Sequence, residues 1–226
     1  MARKRLLYYG LQRSGTNFLA KVIQQQFEVE FLNKRYIRSH PRHKHFRIYD
    51  NKELIGRENY HNTLLIEDLQ DFENKLEISG NADGFIILSK DPYSWLISYK
   101  KWAKRMKWSD PPHPYILEYN EFYRKWWELS LQSEKVIFLR YEDLLMHTHE
   151  VLNNLSDKFE LDRLPSEFIQ DEQIKRVPYS AKFTSKNLKY YSRKKYLKKY
   201  SNKELKVLNA LIDHDLIKNL GYKSYF

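Results

Sequence analysis

The segment 6–23, LLYYGLQRSGTNFLAKVI, constrains the fold of this chain more than any other stretch. A short run of apolar and aromatic residues ends at Gly10, and apolar residues at helical spacing begin at Phe18 and continue to Ile23. This pattern predicts a buried β-strand, a tight loop and an α-helix in direct succession. Because such a turn aims backbone N–H groups and the positive end of the helix at one point, it predicts an anion site.

The two glycines of this loop keep the spacing of a nucleotide-binding loop, but the residues after them differ. Gly10 and Gly15 match the glycines of the motif G-x-x-x-x-G-K-[ST], whereas Thr16 and Asn17 replace its Lys and Ser/Thr. In that motif the Lys reaches the outer phosphates and the hydroxyl holds Mg²⁺. The loop therefore suits an anion other than a metal-bound triphosphate.

The rest of the chain alternates predicted strands with predicted helices. Apolar runs predict strands over 28–32, 85–90 and 135–140, and helical spacing predicts helices over 63–79, 93–107, 115–132, 143–160 and 202–219. Asp91 and Pro92 are typical of a helix start, since Asp is a good N-cap and Pro suits the first helical position. Between these elements, residues 33–62 are polar and basic, and they predict a long loop with little regular structure.

This alternation predicts the fold class. Strands separated by helices indicate an α/β fold with a central parallel sheet flanked by helices, here a three-layer P-loop-like fold, with ligands beyond the carboxyl ends of the strands. The 226 residues suffice for one well-buried core, so we expect a single domain over residues 1–226.

Charge and cysteine content narrow the possible functions. Lys and Arg number 40 against 29 Asp and Glu, so the net charge of +11 favours an anionic ligand, substrate or surface. The chain has no Cys, which excludes disulfides, zinc-thiolate sites and thiol nucleophiles and suits a reducing compartment. The apolar run before Gly10 is far shorter than the ~20 residues of a membrane span, so we expect a cytoplasmic protein without a transmembrane segment.

A second pair of motifs leads to a family resemblance. FIILSKDPYSWLISYKKW places Lys90 at a strand end and Ser98 nearly two turns into the next helix, and FLRYEDLL follows later. Together with GLQRSGTNF, these motifs resemble the sulfotransferase family that uses 3′-phosphoadenosine 5′-phosphosulfate (PAPS). In that family a loop [KR]-S-G-T-[TN]-[WF] holds the 5′-phosphosulfate, and a segment [RK]-x-P-x5-S holds the 3′-phosphate. The resemblance covers residues 5–145, and the C-terminal stretch is similar to small bacterial-type members.

The resemblance implies a cofactor site and a metal-free reaction. It implies that the loop wraps around the phosphosulfate and that Phe18 lies against the adenine. It also implies that Lys90 and Ser98 hold the 3′-phosphate and that Tyr141 contacts the nucleoside. The loop residues concerned are Arg13, Ser14, Gly15, Thr16 and Asn17. A cationic side chain and backbone donors can stabilise the leaving phosphate without a metal. The alternatives are core packing for Phe18 and a strand-end structural role for Tyr141.

Two residues depart from the commonest form of the family's motifs. Many members carry Lys where Arg13 stands and Arg where Lys90 stands. Arg holds its proton tightly, so Arg13 favours electrostatic stabilisation over proton donation to the leaving group. Lys90 keeps the positive charge but lacks the bidentate fork of Arg.

The acceptor hydroxyl needs a general base, usually His or Glu in this family. The loop IRSHPRHKHFRIYD supplies His40, His43 and His45, and histidine has the pKa for this role near neutrality. We favour His45, because KHF leads back to an ordered apolar segment. Glu67 and Asp68 are reserve candidates, and a solvated, anion-attracting loop is the alternative for the three histidines. Their basic neighbours disfavour a metal site.

The acceptor and two rival functions stay open. The resemblance favours a hydroxyl of a carbohydrate-like acceptor such as a polysaccharide, including an anionic one, and requires no nucleic acid. One rival is an atypical P-loop kinase, since TLLIED resembles a strand ending in acids. The other is a nucleic-acid-binding module, since residues 182–203 interleave lysines and tyrosines. In the sulfotransferase interpretation, four basic residues of this stretch bind the 3′-phosphate or an acidic acceptor: Lys182, Lys186, Arg193 and Lys194.

Overall fold

A parallel sheet lies at the centre of this computed structural model, which describes residues 3–33, 37, 39–48, 63–108, 113–165 and 185–225. Its main sheet has the strand order β2-β1-β5-β6, and β3 and β4 form a separate parallel pair. Within the described ranges the strands are β1 (Lys4–Tyr9), β2 (Val29–Phe31), β3 (Arg47–Ile48), β4 (Thr63–Leu64), β5 (Gly84–Ser89) and β6 (Val136–Arg140).

The main sheet is buried on both faces. Leu7 and Tyr9 of β1 belong to one apolar cluster, which also contains Trp126, whereas Leu6 and Tyr8 belong to a second cluster on the opposite face. Successive side chains of a strand point to opposite faces, so this alternation places a core above and below the sheet. The result is the three-layer arrangement that the sequence predicts.

Helices supply the two outer layers. Their bounds are α1 (Thr16–Gln26), α2 (Leu69–Lys75), α3 (Pro92–Arg105), α4 (Tyr115–Gln132), α5 (Tyr141–Met146), α6 (Thr148–Phe159), α7 (Ser185–Ser192), α8 (Asn202–Leu211) and α9 (His214–Asn219), with a 3₁₀ helix over Lys195–Lys199. Apolar residues of α1, α5 and α6 fill one core, and those of α2, α3, α4, α8 and α9 fill the other.

The predicted start of α3 is confirmed in detail. The Asp91 carboxylate accepts hydrogen bonds from the backbone N–H groups of Tyr93 and Ser94, at 3.0 and 3.2 Å, and Pro92 occupies the first turn. Since β5 ends at Ser89, this cap fixes Lys90 in the short turn between strand and helix.

Three predicted helices differ from the structure. The segment 63–79 begins as strand β4, and α2 starts only at Leu69, because the Asp68 side chain caps its first turn. The segment 143–160 forms two helices, α5 and α6, on either side of His147. The segment 202–219 also divides, since Ile212 is extended and Asp213 caps α9.

Candidate functional site

The loop between β1 and α1 has the geometry of an open helix N-terminus. Arg13 and Gly15 both have positive φ, 75° and 104°, and Gly15 is the N-cap of α1 without a side-chain cap. The Gly15 carbonyl accepts from the N–H groups of Phe18 and Leu19, at 2.9 and 3.1 Å. The first turn of α1 carries no acidic residue, so the positive end of the helix dipole is not neutralised from within the helix.

Ser14 has a buried hydroxyl whose hydrogen bonding is unsatisfied among the described residues. The side chain is fully buried, and its Oγ has no hydrogen-bond partner there. The neighbouring Tyr123 hydroxyl, whose pKa burial raises and Ser14 lowers, donates its own hydrogen to the Leu88 carbonyl at 2.9 Å. A buried hydroxyl without a partner is costly, and an oxygen of a bound phosphate would satisfy it. Ser14 therefore fits the phosphate group that its loop motif implies.

Lys44, which no sequence motif identifies, is in contact with this loop. Its carbonyl accepts from the Gly10 N–H at 3.1 Å, and its ammonium donates to the Asn17 side-chain oxygen. Burial lowers the pKa of Lys44. Its one signal in the sequence is its place directly before His45, so only the fold shows that this cation reaches Asn17 on α1.

His45 is distinguished from the other two candidate histidines by the role of its ring. His45 Nδ1 lies 2.7 Å from the Gly10 carbonyl oxygen, so Nδ1 carries the proton and Nε2 is the basic nitrogen. His43 Nδ1 instead accepts from the His45 backbone N–H at 3.2 Å, and His40 Nδ1 accepts from the Arg42 N–H at 3.1 Å. Those two rings stabilise backbone turns, whereas the ring of His45 is hydrogen-bonded to Gly10, in the loop between β1 and α1.

Burial also fixes the charge state of His45. It holds the pKa of His45 well below the usual value of 6.5, the Gly10 carbonyl opposes this shift, and the nearby cations of Lys44 and Arg47 add to it. The imidazole is therefore neutral at neutral pH and able to accept a proton at Nε2.

Lys90 and Ser98, predicted to act together, are in contact. The buried Lys90 ammonium lies 3.4 Å from Ser98 Oγ and 3.1 Å from the Tyr191 hydroxyl. It also lies 4.9 Å from the ring centroids of both Tyr141 and Tyr191. The cation is thus held between two aromatic faces at the carboxyl end of β5, a favourable arrangement for an ammonium group.

Tyr141 connects this cation to the loop. A Cβ atom added at Gly15 would lie 2.4 Å from Tyr141 Cδ2, so the Tyr141 ring packs directly on the Gly15 backbone. The same ring lies over Lys90 and meets Phe18 edge-on, with centroids 6.3 Å apart. Phe18 is buried in the core beneath α1. The loop and the Lys90–Ser98 pair are therefore two parts of one site with Tyr141 between them.

Gly15 offers a test of this close packing. We expect Gly15→Ala to abolish detectable nucleotide binding, because its Cβ would overlap Tyr141 and its φ of 104° is strained for alanine. Gly80→Ala is the matched control, since Gly80 has φ 73° but its Cβ would meet only the end of the Arg5 side chain, at 3.3 Å. Calorimetric titration measures both. Binding that survives equally in the two variants would contradict the close approach.

Two buried acids lie behind Lys90. Burial raises the pKa of Glu142 to about 7, the charge of Asp91 adds to this, and Lys90 opposes it. The Asp91 backbone N–H lies 3.3 Å from both carboxylate oxygens of Glu142, and the Asp91 carboxylate accepts from the Tyr196 hydroxyl at 2.8 Å. Glu142 thus interacts favourably with Lys90, and Asp91 connects this turn to the C-terminal segment.

The remaining predicted residues lie in several places. Arg13 is exposed, with its guanidinium 5.1 Å from the Trp102 ring centroid. The Lys194 ammonium donates to the Tyr225 hydroxyl, and Arg193 is exposed. Glu67 and Asp68 lie at the start of α2. Lys182 and the side chain of Lys186 lie outside the described residues.

The described ranges contain neither a metal-binding cluster nor a membrane-spanning helix. His, Asp and Glu side chains there form no group of three that could hold a metal ion. No helix in those ranges is both long and apolar enough to cross a membrane.

Comparisons with known proteins show the fold. No protein-family model matches the chain, and no curated protein matches its sequence. In structure the chain is similar to a mouse sulfotransferase, SULT7A1, solved in complex with PAP, with a TM-score of 0.54 and 13% identity over 96% of this chain and 88% of that one. At this identity the likeness concerns the fold alone, and it agrees with the predicted α/β class.

Proposed function

We propose that this protein is a PAPS-dependent sulfotransferase, which transfers a sulfuryl group to a hydroxyl of a carbohydrate-like acceptor. One observation carries the proposal: the uncapped loop at Gly15 and the Lys90–Ser98 pair meet at the Tyr141 ring. A ligand with two separate anionic groups and an intervening nucleoside suits this pair of sites. The structural likeness to a sulfotransferase complexed with PAP supports the same choice.

The residues present fit the cofactor. The loop would hold the 5′-phosphosulfate through its backbone N–H groups and the unsatisfied Ser14 hydroxyl, and Lys90 with Ser98 would hold the 3′-phosphate. When bound, PAPS supplies a neutral sulfuryl unit attached to a phosphate, which leaves with the electron pair of the broken S–O bond. Arg13 and Lys44 supply positive charge beside that loop without a metal.

His45 is the proposed general base. Its Nε2 takes the proton of the acceptor hydroxyl, while its Nδ1–H remains donated to the Gly10 carbonyl. Because Gly10 begins the loop, this hydrogen bond positions the base relative to the sulfuryl donor. The neutral state of His45 at neutral pH makes Nε2 available without prior loss of a proton.

The carbohydrate-like nature of the acceptor is supported by residues beside Arg13. Trp102 is partly exposed there, whereas Trp95 and Trp126 are fully buried in the core. A partly exposed indole can pack against a sugar ring, and the exposed Lys101 and Lys104 on the same helix suit an acidic acceptor.

Thermal unfolding tests the proposed cofactor. We expect adenosine 3′,5′-bisphosphate without Mg²⁺ to raise the unfolding midpoint by roughly 5 to 10 °C at about 100 times its dissociation constant. AMP and ATP-Mg²⁺ at the same concentration should have much smaller effects. Lys90→Met should remove most of the shift with the bisphosphate, whereas Lys101→Met, which changes an exposed lysine of the following helix α3, should retain it.

Other results of this experiment would point to other functions. A shift with ATP-Mg²⁺ alone would indicate a kinase. No shift with any nucleotide, together with salt-dependent binding of RNA or DNA, would indicate a nucleic-acid-binding module.

A further inference from the structure

We infer that Tyr191 is a third ligand of the 3′-phosphate. Its hydroxyl group makes the site prefer a nucleotide with a 3′-phosphate over a nucleotide that carries only a 5′-phosphate. This inference rests on the proposed function, because it assigns the Lys90–Ser98 pair to the 3′-phosphate. Tyr191 lies within the basic C-terminal stretch 182–203, where the lysines and arginine were the predicted phosphate ligands.

The hydroxyl groups around Lys90 differ in their hydrogen-bond partners. Ser98 Oγ donates to the Ser94 carbonyl at 3.0 Å, one turn earlier in α3, and must exchange this hydrogen bond when it donates to a phosphate. The Tyr191 hydroxyl instead accepts from the Lys90 ammonium at 3.1 Å, and a hydroxyl group that accepts can still donate its own hydrogen. A phosphate oxygen beside Lys90 would receive that hydrogen in addition to an N–H of the ammonium group.

Lysine at position 90 gives this extra donor its importance. An ammonium group is a compact charge on a flexible stem, whereas a guanidinium offers two parallel N–H groups in a fixed plane. A lysine alone therefore attracts an anion without defining its orientation. A phenol hydroxyl 3.1 Å from the ammonium supplies a second, directed donor, so Lys90 and Tyr191 together can do what one arginine does.

The Tyr191 ring is held rigidly enough for this role. It packs edge-on against Tyr141, with centroids 5.2 Å apart, and nearly perpendicular to Tyr190, also at 5.2 Å. Burial raises the pKa of Tyr141 well above its usual value, and a hydrogen bond with Tyr191 also raises it. Tyr196, in the following 3₁₀ helix, donates to Asp91 at the N-terminus of α3, which anchors the chain on the C-terminal side of Tyr191.

Calorimetric titration of Tyr191→Phe with adenosine 3′,5′-bisphosphate and with AMP tests the inference. The variant keeps the ring that packs on Tyr141 and removes only the hydroxyl. We expect it to bind the bisphosphate at least tenfold more weakly, since a hydrogen bond to a charged group is lost, and to bind AMP as the wild type does. Tyr190→Phe, which removes the neighbouring hydroxyl of the same helix, should leave both affinities unchanged.

The outcomes separate this inference from the proposed function. If the wild-type protein fails to prefer the bisphosphate over AMP, the proposed function and the inference are both wrong. If the wild type prefers the bisphosphate and Tyr191→Phe retains the full preference, only the inference fails. Equal weakening for both nucleotides would also overturn it, because that result indicates a general role in packing. Tighter bisphosphate binding by the variant would show that Tyr191 competes with the phosphate for Lys90.

Discussion

Replacing His45 by Gln is expected to lower the turnover of sulfuryl transfer by about 10²- to 10⁴-fold, the usual contribution of a general base. Glutamine can still donate to the Gly10 carbonyl, which the histidine contacts at 2.7 Å, but it offers no basic nitrogen. The affinity for adenosine 3′,5′-bisphosphate should therefore stay near the wild-type value. Single-turnover rates and calorimetric titration of the same variant measure the two quantities independently.

The pH dependence of turnover provides a second readout for His45. Burial lowers the pKa of His45 below 6.5, so the unprotonated, active form persists as the pH falls through the range in which an exposed histidine becomes charged. Wild-type turnover should stay level through pH 6.5 and decline only at lower pH. His40→Gln is the control, because the His40 ring serves a backbone turn, and it should keep both the rate and the profile. If the His45→Gln variant kept the wild-type turnover, the general base would be a group other than His45.

Replacing Arg47 by Leu is expected to lower the free energy of unfolding by about 3–5 kcal/mol, the cost of leaving a buried charge without its partner. Arg47 and Glu118 have side chains only 3% and 5% exposed, with Nη2 and Oε2 at 3.0 Å. The same nitrogen donates to Gln12 Oε1 at 2.9 Å and to the Tyr99 hydroxyl at 3.0 Å. Gln12 precedes Arg13 in the loop, so the hydrogen bond from Arg47 to Gln12 connects the buried ion pair to the loop. Denaturant unfolding measures the loss.

Two further variants show whether the pairing itself causes this loss. The double replacement of Arg47 and Glu118 by Leu should recover much of the stability, because neither charge then remains buried alone. Arg3→Leu removes one partner of the exposed Arg3–Glu28 pair and should leave stability unchanged within error. If Arg47→Leu were no more harmful than Arg3→Leu, the Arg47–Glu118 pair would be solvated rather than buried.

The elements with strong local signals were those that the sequence could predict. Gly10 and Gly15 marked the loop between β1 and α1, and Asp91 with Pro92 marked the start of α3 to the residue. The division of predicted helix 202–219 also had a signal, since Asp213 is a good N-cap, but the apolar spacing continued past it. Strand β4 had no signal of its own, because the spacing of Leu65 and Leu69 also fits a helix. In the structure, however, Leu65 is 45% exposed and does not form part of a buried helix face.

Site residues supplied by distant parts of the chain could not be identified in this way. Lys44 reaches Asn17 because Lys44 and His45 are both hydrogen-bonded to Gly10. Tyr191 reaches Lys90 because α7 packs against α5. Neither contact leaves a periodic pattern in the sequence. The grouping of Lys90 with Ser98 was predictable only from the resemblance to the sulfotransferase motif, and the two side chains do lie 3.4 Å apart.

The contacts that cover Lys90 also determine when the site can be completed during synthesis. Lys90 and Tyr191 are 101 residues apart, and Ser89 and the Tyr222 hydroxyl that it contacts are separated by 133 residues. A chain leaves the ribosome N-terminal end first, so β1, the loop and β5 emerge long before these tyrosines. Contacts at such separations also form slowly. A nascent chain can therefore pair its central strands early, but Lys90 gains its contact with Tyr191 only after α7 has been translated, and Ser89 gains its contact with Tyr222 later still.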